Sequence, residues 1–140
     1  MRRYFIPTVL MFLFLVQVVI AADREACADF LAAMHTKPTH LEFLGCKRRT
    51  DLQGQPLEAR YRVSGTHAAA VEHFLVTEFK IKELHRTCCV WESTQNSYRD
   101  DRLGLLLISM STEETTVTSK SQWPKIRYFY VTVARYTEEP

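Results

Sequence analysis

Between residues 57 and 64 (LEARYRVS) apolar and charged positions alternate without a break. Leu57, Ala59, Tyr61 and Val63 share one face, and Glu58, Arg60 and Arg62 the other. A period of two with one charged face predicts a half-buried antiparallel strand. Residues 40–47 (HLEFLGCK) also read as a strand, and the intervening TDLQGQP carries the Asp, Gly and Pro of a turn, so the two predict a hairpin. Two other stretches have helical spacing. Cys27, Phe30, Leu31 and Met34 stand at i, i+3, i+4 and i+7, which predicts a helix over 24–35, closed by Lys37-Pro38. Val71, Phe74, Leu75 and Phe79 predict a second helix over about 66–82, with Ser64 or Thr66 as its cap. Three further strands are expected at about 84–92, 102–111 and 125–136, the last rich in aromatic and β-branched residues. Polar linkers, STQNSYRDD and STEETTVTSKSQWP, separate them. The order α-β-β-α-β-β-β predicts an α+β domain, with an antiparallel sheet of about five strands and two helices on one face.

The N-terminal pattern is of another kind. Arg2 and Arg3 precede a run from Thr8 to Ile20 that is apolar apart from Gln17, and Val19, Ala21 and Ala22 supply small residues before Asp23-Arg24-Glu25. This is the layout of a secretory signal peptide, with cleavage expected after Ala21 or Ala22. The competing reading is an uncleaved anchor, but a spanning helix needs about 20 apolar residues, reached here only by counting Tyr4 and Pro7. Residues 1–22 are therefore expected to be the signal and 23–140 a single domain, periplasmic or secreted, with no membrane span after cleavage.

Removing the signal changes the charge balance. The whole chain has 18 Lys and Arg against 16 Asp and Glu. Arg2 and Arg3 account for the excess, so the mature part is neutral. A nucleic-acid partner calls for a basic excess and is set aside.

Four cysteines, Cys27, Cys46, Cys88 and Cys89, in a small exported domain predict disulfides. If Cys88 and Cys89 lie on a strand, their side chains diverge and a bridge between them is awkward. Each is then expected to pair with Cys27 or Cys46. Both assignments satisfy this, with Cys27–Cys88 and Cys46–Cys89 slightly preferred. The alternatives are a metal or a redox motif, but no C-x-x-C spacing is present.

Catalytic motifs are sparse: there is no G-x-S-x-G, no P-loop and no glycine-rich dinucleotide turn. His67 and His73 are six residues apart, on different faces of the expected helix. His35, His40 and His85 are weak metal candidates, and with Glu42 they would be the groups of a small hydrolase. No cofactor and no catalytic residue is assigned, and the motif content leans away from an enzyme. A binding surface is more visible. Lys47, Arg48 and Arg49 end the first strand and Arg60 and Arg62 point outward from the second, so hairpin pairing would gather five cations on one ribbon. Glu113-Glu114 and Glu138-Glu139 place acidic charge elsewhere. Trp123, before Pro124 in a polar linker, is either an exposed anchor or packed over a sheet edge.

KPTHLEFLGC (37–46) and CCVWES (88–93), with the VSGTHAAAVEHFL segment, resemble a family of small exported bacterial proteins known only as a domain of unknown function, family 4952. The resemblance is expected to run from about Cys27 to Tyr136. It implies a bacterial envelope protein with this cysteine framework and transfers no catalytic residue. The leading expectation is a non-catalytic module of inhibitor or immunity type that binds another envelope protein. A metal- or histidine-dependent hydrolase and a small-ligand carrier are the alternatives, and the sequence leaves the oligomeric state open.

Overall fold

The computed structural model describes residues 26–137. The signal-like segment with Arg2 and Arg3, and Glu138-Glu139, lie outside the described residues. β1 (Glu42–Arg48) and β2 (Leu57–Ser64) form the expected hairpin. In β2, Leu57, Ala59, Tyr61 and Val63 are buried, as the alternation requires. β2 pairs with β7 (Tyr128–Tyr136), and β7 with β6 (Gly104–Thr112), all antiparallel. The inner sides of these strands, including Ile108, Met110, Phe129, Val131 and Val133, form one core with Ala68, Val71, Leu75 and Phe79 of α2 (Gly65–Phe79). At about 25 cal/mol per Å² of apolar surface, this face is the main source of stability.

The α+β class therefore holds, with more strands than expected. The strand expected at 84–92 is a hairpin of β3 (His85–Thr87) and β4 (Val90–Glu92), with Cys88-Cys89 as its turn. The linker after it contains β5 (Asn96–Asp100), which pairs with β6. The seven-stranded sheet runs β1-β2-β7-β6-β4-β3, with β5 beside β6. The first helix is shorter than its periodicity suggests. α1 spans only Phe30–Ala33, because Asp29 caps it by accepting from the Ala32 N–H, and His35 turns left-handed at φ +57° beyond its end.

Trp123 resolves to the packed alternative and is not a surface anchor. It is 1% exposed, on a 3-10 helix (Lys120–Lys125), with its ring edge-on to Trp91 and tilted against Phe129. Gly65 makes this seat possible. A Cβ there would overlap the carbonyl oxygens of Trp123 and Ile126, and the Gly65 N–H donates to the Ile126 carbonyl at 3.2 Å. Glu72, buried on α2, accepts from the Leu84 N–H at 2.6 Å and from Lys120 Nζ at 2.9 Å, so it ties both flanking segments to the helix.

The N-terminal segment is held by a second set of polar contacts. The buried Tyr61 hydroxyl donates to Asp29 Oδ1 at 3.0 Å and accepts from the Leu31 N–H at 3.2 Å. Burial raises the Asp29 pKa, but bonds from Lys37, Ala32 and Tyr61 outweigh it and hold the carboxyl below the usual aspartate value. The unfolded chain then takes up this proton first as pH falls. The stabilisation is complete above about pH 4 and is lost as pH drops through the depressed folded value. Asp29→Asn keeps a capping residue, so its urea midpoint is expected to change less between pH 5 and pH 2 than that of the unaltered chain. Equal slopes would remove Asp29 from the acid response. Gly65→Ala is expected to cost about 3 kcal/mol, at the upper end of overpacking. A urea midpoint unchanged by that substitution would contradict the close approach.

Candidate functional site

Helices cover one face of the sheet, and the other face carries the polar side chains of the same strands. Along β7 the outward residues are Tyr128, Tyr130 and Thr132, between the buried Phe129, Val131 and Val133. Registers place Arg62 opposite Tyr130 and Arg60 opposite Thr132. The long arginine side chains reach diagonally. Arg62 Cζ lies 4.6 Å from the centroid of Tyr128, and Arg60 Cζ 5.3 Å from that of Tyr130. Arg127 Cζ is 5.4 Å from the Tyr128 ring, so two guanidinium groups share that phenol. Each contact joins a cation to the negative face of an aromatic quadrupole.

This face ends in a cleft of about 430 Å³. Arg62, Tyr128 and Tyr130 form its floor, Lys125, Ile126 and Arg127 one wall, and Glu113, Glu114 and Thr115 the other. Three cations and two carboxylates thus converge on one polar hollow. At the opposite end the 49–56 loop folds down. Arg49 donates to Asp51 at 2.9 and 2.6 Å and to Glu58 at 2.7 Å, and Gly54 packs against the Tyr136 ring. The Arg49 pair lowers the pKa of Asp51 to about 2.

The five cations expected on the hairpin ribbon have different fates. Arg60, Lys47 and Arg48 are exposed, and Arg48 donates to the Gln55 carbonyl at 3.3 Å. Arg62 lies on the floor of the cleft, paired with Glu42 at 2.6 Å. Arg49 is committed to its two carboxylates and anchors the loop. Lys47 stands opposite Glu58, so the ribbon alternates in sign and is not uniformly basic. Tyr128, Tyr130, Lys125 and Arg127 were not among the expected surface residues. Tyr128 and Tyr130 show in the even-numbered alternation within KIRYFYVTVARY, and Lys125 and Arg127 flank Ile126 at its start.

The histidines do not converge as the hydrolase reading needs. His85 is on β3, at one edge of the sheet, and Glu42 is on β1, at the other. Among the described residues no group of three His, Cys, Asp or Glu side chains could hold a metal. An unexpected pair does form. His40 and His67 stack with centroids 3.7 Å apart, and His67 Nδ1 is 3.2 Å from the Ser64 hydroxyl.

The cysteine pairing also differs from the expectation. The bridges are Cys27–Cys46 and Cys88–Cys89. Cys46 is on β1 and the Cys88-Cys89 turn follows β3, so the two lie at opposite edges of the sheet and cannot meet. The premise of diverging side chains fails because these two residues form a tight turn. Cys88 has φ +52°, a left-handed conformation that two-residue hairpin turns usually give to Gly or Asn.

Residues 18–91 match the family described as a domain of unknown function, DUF4952, a stretch of more than half the chain. The chain belongs to DUF4952. The match takes in all four cysteines, the β1–β2 hairpin and α2, and stops at Trp91 instead of running to Tyr136. No curated protein and no solved structure matches the chain. In this DUF4952 chain, no helix among the described residues is long and apolar enough to cross a membrane.

Tryptic digestion without reductant checks the pairing. The 87–99 peptide, which contains both Cys88 and Cys89, is expected alone and two hydrogens lighter than its dithiol form. Cys27 and Cys46 share the 25–47 peptide, because trypsin does not cut between Lys37 and Pro38, and that peptide is likewise expected alone and two hydrogens lighter. A peptide linking Cys88 or Cys89 to Cys27 or Cys46 would reverse the assignment.

Proposed function

We propose that this chain is an exported, non-catalytic protein-binding domain of inhibitor or immunity type, acting in the bacterial envelope through its outer sheet face. The observation that carries this reading is the set of guanidinium–phenol stacks formed by Arg60, Arg62, Arg127, Tyr128 and Tyr130 on a face that no helix among the described residues covers. Tyr and Arg are the residues in which binding energy concentrates at protein interfaces. Stacking orders the long arginine side chains before any partner arrives, which reduces the entropy lost on binding. Lys47, in register with Glu58, adds an exposed cation to the same face of the neighbouring strand, and the partner that complements this face presents carboxylates around an aromatic or apolar centre. The N-terminal signal pattern and the two disulfides fit an oxidising compartment.

The test is saturable capture of a protein from envelope extract by the chain and by its Arg60→Glu/Arg62→Glu variant. The unaltered chain is expected to capture a defined partner, and the variant to bind it at least about tenfold more weakly, as loss of central contacts implies. The variant's melting is followed to confirm that it stays folded, since Arg62→Glu places a carboxylate opposite Glu42. Absence of a saturable partner, or equal capture by both chains, would count against the reading.

A further inference from the structure

The Cys88–Cys89 bridge differs in kind from Cys27–Cys46. The latter joins positions 19 residues apart, and Cys46 packs against the core. Folding therefore supports it through the chain loop it closes. Cys88 and Cys89 are neighbours, so their bridge closes no chain loop and receives no such support. It sits in the two-residue turn of an edge hairpin, between paired Thr87 and Val90, and Cys88 is exposed. Ring closure across the pair also restrains Cys88 in the left-handed conformation that a residue with a side chain disfavours. Each bridge has one exposed cysteine, Cys27 in one and Cys88 in the other, so access does not separate them, and the bridge that the fold supports least is the one that thiols reduce first.

The hairpin is wired to the cleft. The Thr115 N–H donates to the Cys89 carbonyl at 2.7 Å. Arg86 of β3 donates to the Val117 and Thr115 carbonyls at 2.7 and 2.9 Å, and the Trp91 indole N–H of β4 to the Val117 carbonyl at 2.9 Å. The same loop gives Glu113, Glu114 and Thr115 to the cleft wall.

We infer that Cys88–Cys89 is a thiol–disulfide exchange site that takes a dithiol as co-reactant, and that its reduction releases the loop carrying the acidic wall of the cleft. A thiolate of the dithiol attacks Cys88 Sγ. The bond between the two cysteines breaks, and Cys89 leaves with the electron pair and takes up a proton. The second thiol of the reductant then displaces Cys88 from the mixed disulfide. The bridge gains two electrons and two protons, and the dithiol becomes a disulfide. Without the ring, Cys88 can leave φ +52°, and the Cys89 carbonyl loses the orientation that meets Thr115. The exchange chemistry is independent of the proposed binding function, and only its consequence for a partner rests on that function.

The experiment titrates the oxidised full chain with dithiothreitol, blocks free thiols with iodoacetamide and maps adducts by mass. The 87–99 peptide is expected to carry two adducts at a dithiothreitol concentration at least about tenfold below that needed to label Cys27 and Cys46. Hydrogen exchange at the Thr115 amide is expected to accelerate at the same concentration while α2 stays protected. Cys88→Ser/Cys89→Ser, with melting followed to confirm folding, should show the fast Thr115 exchange without reductant. Joint reduction of both bridges, or labelling of Cys88 and Cys89 in protein never exposed to reductant, would overturn the exchange site. Unchanged Thr115 exchange after selective reduction would overturn the coupling. Failure to capture a partner would leave these readouts intact.

Discussion

The contact between α2 and the inner side of β2, β7 and β6 sets the rest of the molecule. Ala59, Tyr61 and Val63 meet Phe129, Val131 and Val133 across one sheet, and α2 covers them with Ala68, Val71, Leu75 and Phe79. Because strand side chains alternate, committing one set to the helix commits the other set to the opposite face. A one-residue slip of β7 would bury Tyr128 and Tyr130 and expose Phe129 and Val131. The register that makes the core therefore also makes the surface, and the stacked arginines and tyrosines cannot move without cost to the core.

That contact depends on close approach at one end. Gly65 begins α2 directly after β2, and its missing Cβ lets the carbonyl groups of Trp123 and Ile126 come against the helix. Trp123 fills the space beside Trp91 and Phe129, and Glu72 with Lys120 closes the seam. The 3-10 helix is thus plugged into the core, and the residues just after it, Ile126 and Arg127, are delivered to the cleft. Core packing and cleft geometry share one short segment.

How much of this the sequence shows varies from element to element. β2, α2 and β7 are legible because their periodicity is long and clean, and the bounds of β2 are those its alternation predicts. The β3–β4 hairpin is not legible, because its turn holds neither Gly nor Asn and the flanking run reads as one strand. β5 is too polar to stand out, and it becomes a strand only through pairing with β6. Trp123 sits in a linker whose composition suggests exposure, and only the tertiary position of Gly65 shows where it goes. On the outer face, Arg60 and Arg62 follow from the alternation of β2, but the carboxylates opposite the ribbon's cations come from strand register. Arg49 shows the difference: its sequence neighbours suggest a basic run, and its partners Asp51 and Glu58 make it a loop anchor.

The four cysteines show how connectivity decides physical role. Cys27–Cys46 closes a loop worth about 3 kcal/mol on the chain-entropy model, and it ties the segment before α1 to edge strand β1. It compensates for a helix of a single turn, which cannot hold itself in water. Cys88–Cys89 stabilises no chain loop, so stability does not explain two adjacent cysteines at a turn where Asn-Gly would be easier to form. Their placement fits a position where the chemistry of sulfur, and not its crosslinking, matters. The neighbouring residues strengthen this contrast. Arg86 and Trp91 flank the turn and spend their polar groups on the backbone of the 113–118 loop, so a change confined to two side chains at the tip is passed to the wall of the cleft.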